Sequence, residues 1–251
     1  MNLVLGTIFV WKKKMSAATS EIIDLTQTDE DKADHLKTHG WITVKVLDKD
    51  ELELFRKDLL EQIERSPEFN PGLPKTHKFA KTGFGTLGNA SSFHNKVVRN
   101  LRKRAHEKVK PILKKFVAKY ANNRKMYLEQ IVDRVMIRQN GQKATPEAWH
   151  RDQGAFALDD DFVFGGWLNL NSPDGVGNEY LSAVPGSQLP NNPRQGFAVF
   201  EDSEKDELRR RRALLTVPPG YMLVFYENMA HEVLAKPTKM ALNCVCSPGS
   251  V

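Results

Sequence analysis

Two rhythms of apolar residues divide the chain, a helical one that dominates before about residue 126 and one of period two after it. Within the first part, Gly40-Trp41-Ile-Thr-Val-Lys-Val-Leu47 is rich in β-branched residues, which predicts a strand. Asp48 with Glu51 three residues later has the form of a capping box. Leu52, Phe55, Leu59 and Ile63 then recur every three or four residues, so a helix is expected to about Arg65. Val98, Leu101, Ala105, Val109, Ile112, Phe116 and Tyr120 repeat in the same way. They predict an amphipathic helix, or a helix pair whose second half opens at Pro111; in a single helix Pro111 would make a kink.

Between these helices, residues 66–95 carry Pro67, Pro71, Pro74, Gly72, Gly83, Gly85 and Gly88 and read as a long loop. Gly83-Phe-Gly85-Thr-Leu-Gly88 spells GxGxxG, but no strand is expected before it and no helix after it, so a nucleotide-binding turn is rejected. From residue 126 onward, short alternating runs separated by Gly, Pro and Asn predict strands around 131–139, 148–157, 163–171, 179–184, 196–200, 213–217, 221–226, 231–235 and 239–246. Many short strands after a helical section predict a jelly roll or barrel braced by helices. Arg209 to Arg212, preceded by the acidic stretch Glu201 to Glu207, reads as an exposed insertion helix.

Composition changes this picture little. At 251 residues, 40% hydrophobic and 27% charged, the chain fits an ordinary globular protein with a sizeable core. The only cysteines, Cys244 and Cys246, sit two apart on one expected strand and read as reduced structural thiols of an intracellular protein, cytoplasmic or nuclear. Met1 to Trp11 is apolar, but it is too short to cross a bilayer, and Lys12-Lys-Lys14 lies on the wrong side for a signal peptide. Met15 has the look of a second start, so residues 1–14 are expected outside the fold, within a disordered extension over 1–31 that precedes a single domain over 32–251.

Charge is informative locally. The net charge is +6, yet from Lys96 to Lys125 there are twelve Lys or Arg and one acid, Glu107. Such a helix is either a solvated face or a contact for nucleic acid or another polyanion. In the polar N-terminal stretch, the apolar island Ile22-Ile23-Asp24-Leu25-Thr26 before Asp29, Glu30 and Asp31 resembles a SUMO-interacting motif, which adds a strand to its partner's sheet edge.

The sharpest chemical signal is Trp149-His150-Arg151-Asp152. On a strand, residues two apart share a face, so His150 and Asp152 can hold one ion while Arg151 points away. His231, in Asn228-Met-Ala-His231, supplies a third ligand after the strand Gly220-Tyr-Met-Leu-Val-Phe225. Two imidazoles and a carboxylate make the facial set that leaves positions open on iron(II) for a co-substrate and O₂, whereas zinc favours a closed tetrahedron. An oxoacid co-substrate carries a distal carboxylate, and Lys239, eight residues after His231, would answer it as a point charge. Arg138, on the strand before the metal pair, is a candidate for the other carboxylate, and Asn243 shares the face of Lys239. Asp159, Asp160 and Asp161 read as a solvated turn.

These runs, continued by Gly165-Gly-Trp167-Leu-Asn169-Leu-Asn171 and by Gly177 through Pro185-Gly186-Ser187-Gln188, resemble the phytanoyl-CoA dioxygenase family of iron(II)- and 2-oxoglutarate-dependent oxygenases from about Asp34 onward. His35-Leu-Lys-Thr-His-Gly40-Trp-Ile-Thr-Val is similar to that family's first helix and strand. The resemblance implies a mixed α+β fold, a double-stranded β-helix of jelly-roll or cupin type braced by N-terminal helices. It implies Fe(II) on His150, Asp152 and His231, with 2-oxoglutarate as co-substrate. Trp167 stands where the family has a tryptophan lining the 2-oxoglutarate pocket, and Lys239 near its usual arginine. Gln188 replaces the customary histidine, and residues 66–95 have no family match, so an acyl-CoA substrate is not implied. The expected reaction is hydroxylation of a C–H bond of an unidentified substrate, with succinate and CO₂ as co-products and no membrane partner. The alternative is a catalytically silent β-helix module that binds nucleic acid or another polyanion through helix 96–125.

Overall fold

The computed structural model describes residues 27–64, 85–87, 96–121, 130–138, 147–152, 162–172, 178–188, 198–234 and 241–248. Helix α1 (Asp29–His39) starts three residues inside the stretch expected to be a disordered extension. Its start is fixed by a capping box, in which the Asp31 amide donates to Thr28 Oγ1 (3.1 Å) and the Thr28 amide to Asp31 Oδ2 (3.0 Å). It ends at Gly40, whose φ of 89° suits glycine, with the Gly40 amide returning to Leu36 O. Strand β1 (Trp41–Lys45) and helix α2 (Lys49–Glu64) follow, and α2 opens on the Asp48–Glu51 box read from the sequence.

The basic segment forms one helix, α3 (Lys96–Tyr120), which runs through Pro111 without dividing. Pro111 stands on the exposed side, where the carbonyl that loses its helical donor faces water. Strand β2 (Gly85–Leu87) lies within the segment read as loop and pairs with β3 (Gln130–Arg138), so the second half of the GxGxxG run is an edge strand.

The remaining elements are β4 (Glu147–Arg151), β5 (Phe164–Asn169), β6 (Asn178–Ala183), β7 (Ala198–Val199), α4 (Asp202–Arg211), β8 (Ala213–Val217), β9 (Tyr221–Tyr226), β10 (His231–Val233) and β11 (Ala241–Pro248). Among the described residues they form two sheets, β1-β9-β5-β11-β3-β2 and β7-β4-β10-β6-β8, and every pairing is antiparallel. The architecture is therefore mixed helix and antiparallel sheet, as the change of rhythm predicts.

Around β5 the larger sheet is covered on both faces. All six residues of β5 are buried, where a sheet with one wet face would alternate. On one side, Phe116 of α3 meets Phe162, Phe164 and Tyr226 edge-on at 5.0, 5.5 and 6.0 Å between ring centres. On the other side, Phe225 lies 5.8 Å from the His231 ring of the smaller sheet. Asn169 joins the two layers by donating to Val217 O at 2.6 Å. Among the described residues no helix is long and apolar enough to cross a membrane.

Candidate metal centre

Backbone register brings the two histidines together. In the antiparallel pairing of β10 with β4, His231 lies directly opposite His150, and their ring centres are 4.1 Å apart. Opposed residues of an antiparallel pair point to the same face, so both imidazoles enter the same buried space. Each is 1% exposed.

Asp152 arrives differently from the sequence expectation. β4 stops at Arg151, and the next residue is caught by the turn before β10, with the Asp152 amide donating to Glu227 O at 2.8 Å. Its carboxylate still swings to the histidine side, with Oδ1 3.3 Å from His150 Nε2 and Oδ2 3.5 Å from His231 Nε2. One ligand atom from each of the three residues lies within 4.8 Å of the other two.

The protonation pattern suits a cation. His150 Nδ1 sits 2.6 Å from Ala148 O, and His231 Nδ1 sits 2.8 Å from Met229 O. A carbonyl only accepts, so each Nδ1 carries hydrogen, and the neutral ring then presents the Nε2 lone pair to the carboxylate. Two lone pairs and a carboxylate facing one point repel unless a proton or a metal ion lies between them. Burial works to raise the Asp152 pKa, but a proton held at that point, acting as imidazole charge and N–H hydrogen bonds to the carboxylate, outweighs it. The carboxyl is held far below its usual range. Glu227 is pushed up to about 7 by its own burial and then by the negative charge of Asp152.

Arg151, expected to point away, does so and has a structural task. It is buried, its Nη1 donates to Ser187 O (2.5 Å) and to Asn228 O, and the guanidinium lies 5.1 Å from the centre of the Phe200 ring. Ser187 donates through Oγ to Val184 O (2.6 Å) and accepts the Ala230 amide (2.8 Å), while the Val184 amide donates to Ala230 O (2.9 Å). The Pro185-Gly186-Ser187 turn is thus tied both to the residue between His150 and Asp152 and to the residue before His231. Neither Arg151 nor Ser187 was read as part of the site; the PGS run flagged the turn but not its partners. On the opposite face, Glu232 accepts from Ser182 Oγ (2.7 Å) and Arg212 Nη1 (3.2 Å), fixing β10 from behind.

Trp167 is fully buried, and its indole N–H has no hydrogen-bond partner among the described residues. By alternation from Phe164, which faces α3, it faces the smaller sheet. Arg138 lies opposite Ala241 in register, and Asn243 lies between Met136 and Asn169, so both belong to the larger sheet. Lys239, Asp159 to Asp161, the island Ile22, Ile23, Asp24, Leu25 and Thr26, and residues 1–14 lie outside the described residues.

No known family's sequence profile matches the chain, and no curated protein matches it. Solved structures do. The chain is similar to the epimerase SnoN, solved with Fe3+, alpha ketoglutarate and nogalamycin RO, at 19% identity and a TM-score of 0.61, over 88% of this chain and 83% of that one. The non-heme alpha ketoglutarate dependent carbocyclase SnoK from nogalamycin biosynthesis gives 16% identity and 0.56, over 93% and 87%. HygX from Streptomyces hygroscopicus, solved with nickel and 2-oxoglutarate, gives 15% and 0.50, over 87% and 86%. At these identities the likeness establishes the fold.

Proposed function

We propose that the chain is an Fe(II)- and 2-oxoglutarate-dependent dioxygenase of the phytanoyl-CoA dioxygenase-like family, built on a double-stranded β-helix. It hydroxylates a C–H bond of its substrate: O₂ and 2-oxoglutarate are consumed, one oxygen atom enters the C–H bond, and succinate and CO₂ leave. The observation that carries this reading is the convergence of two buried, Nδ1-anchored imidazoles and one carboxylate on a single point. That donor set, neutral N₂ with one anionic O, suits a divalent iron with open positions. Structures of similar fold solved with iron or nickel and with 2-oxoglutarate or alpha ketoglutarate support it.

His150, Asp152 and His231 would hold the ion, which supplies O₂ activation and electron transfer when bound. The protein's own contribution is placement. The two carbonyls keep the imidazoles in the Nε2-donating tautomer, and Arg151 and Ser187 hold the strands that carry them. The unpartnered indole N–H of Trp167 offers a buried donor on the inner face, where an oxoacid oxygen would be welcome. Lys239 takes the distal carboxylate of 2-oxoglutarate, with Arg138 and Asn243 lining the same co-substrate site.

The test is succinate production from 2-oxoglutarate by the full chain with iron(II) and O₂. The expected result is turnover that Lys239→Ala weakens mainly through a higher KM for 2-oxoglutarate. Absence of both succinate and 2-oxoglutarate binding in metal-loaded protein would contradict the reading.

A further inference from the structure

Helix α3 has a face that the metal centre leaves unused. Its buried residues, among them Val98, Leu101, Ala105, Val109 and Phe116, pack inward. Lys96, Arg99, Lys103, Lys110 and Lys114 are all exposed and are separated by steps of 3, 4, 7 and 4 residues. At 100° per residue the five lie within about 60° of one another, in a line about 27 Å long.

Among the described residues, acids of neighbouring elements compensate only the other flank of this helix. Glu51 of α2 pairs with Arg104, and Glu30 and Asp34 of α1 pair with Lys115 (3.5 Å) and Lys119 (2.6 Å). Those three cations sit about 80–140° round the helix from Lys96. Among the described residues no carboxylate pairs with Lys96, Arg99, Lys110 or Lys114. Lys103 meets only Glu107 of its own helix, at 3.9 Å, with the two side chains 76% and 46% exposed, a pair that water screens heavily.

We propose that this line of cations docks the phosphodiester backbone of a double-helical nucleic acid. A stiff row of point charges matches a stiff linear polyanion, and a duplex offers the denser charge, one per about 1.7 Å of its axis. Single strands are held by aromatic platforms that stack bases, and the line carries no aromatic residue. A membrane surface calls for exposed apolar side chains beside the cations, and the one exposed large hydrophobic among the described residues is Leu54, on α2. The line faces away from the larger sheet, which lies between α3 and the sheet that carries His150 and His231, so docking is separable from the metal centre. It brings a polymer to the protein without reading its bases.

The experiment is fluorescence anisotropy of the full chain, without metal, on a labelled 24-base-pair duplex in DNA and RNA forms across a salt series. Five phosphate contacts predict a log–log salt slope of about −4 to −5. The triple variant Lys103→Gln/Lys110→Gln/Lys114→Gln should shallow that slope by about 3 and lower low-salt affinity at least about tenfold. Arg209→Gln/Arg210→Gln/Arg211→Gln on α4 removes the same charge and should leave the slope unchanged; circular dichroism verifies that both variants fold. Loss of binding to the same degree in the two variants, no duplex binding at 50 mM salt, or binding to phosphatidylserine vesicles in place of duplex would overturn the proposal. Because no metal is present, its failure is distinct from failure of the oxygenase reading.

Discussion

His150 and His231 are held by the same device, a carbonyl two residues upstream that accepts from Nδ1. Ala148 lies on β4 and Met229 in the turn before β10, and Ser187 touches both segments: its carbonyl accepts from Arg151 of β4 and its hydroxyl accepts the Ala230 amide. Ser187→Ala leaves the buried Ala230 amide without its acceptor. The expected cost is about 1–3 kcal/mol of stability and about a tenfold loss of metal affinity. Denaturant unfolding with a metal titration checks it, and Ser187→Thr should restore much of both. A second residue-scale prediction concerns His35, which is pushed down to about 3 by burial and then by the stacked His39, 4.0 Å away. The folded chain keeps His35 neutral while the unfolded chain takes a proton near pH 6.5. Stability is therefore complete above pH 6.5 and falls as the pH drops from there toward 3. Between pH 6.5 and 5 the loss should be about 1–2 kcal/mol, allowing for partial contact with water. His35→Gln should flatten that part of the stability–pH curve; an unchanged slope would contradict the assignment. The three residues of the candidate metal centre were legible as residue types in HxD and a distant His. Arg151, Ser187 and Glu227 were not, because their roles lie in contacts between segments 36 to 77 residues apart.

Elements announced themselves where the information is local. The Asp48–Glu51 box and the three-to-four spacing place α2 and α3 to within a few residues. β2 was hidden because three residues are too few to show a period, and its pairing with β3 is a long-range choice. The end of β4 was missed for a related reason: the turn holding Asp152 comes from Glu227, far along the chain. The Gly165-Gly166 pair shows what such pairing demands. A Cβ at Gly166 would stand 2.1 Å from Leu223 O of the neighbouring strand β9, a backbone atom that cannot step aside. Gly166→Ala should therefore part β5 from β9 and cost about 3 kcal/mol or more, seen as a lowered midpoint in thermal unfolding. A variant as stable as the parent would show that the two strands are not this close.

Across the whole molecule, the change from helical to alternating rhythm foretold the layers, and the ladder order turned them into a site. Nothing local says that residue 231 lies opposite residue 150; that follows only when β10 settles between β4 and β6. The account rests on this meeting. Its most direct measurement is calorimetric titration of the full chain with manganese(II), a redox-quiet stand-in for iron(II), at neutral pH. The account predicts one site per chain, whose affinity falls by more than about a hundredfold in Asp152→Ala, beyond the 10–100-fold typical of losing a supporting contact. Binding of equal strength in that variant, or no stoichiometric site in the parent, would contradict it.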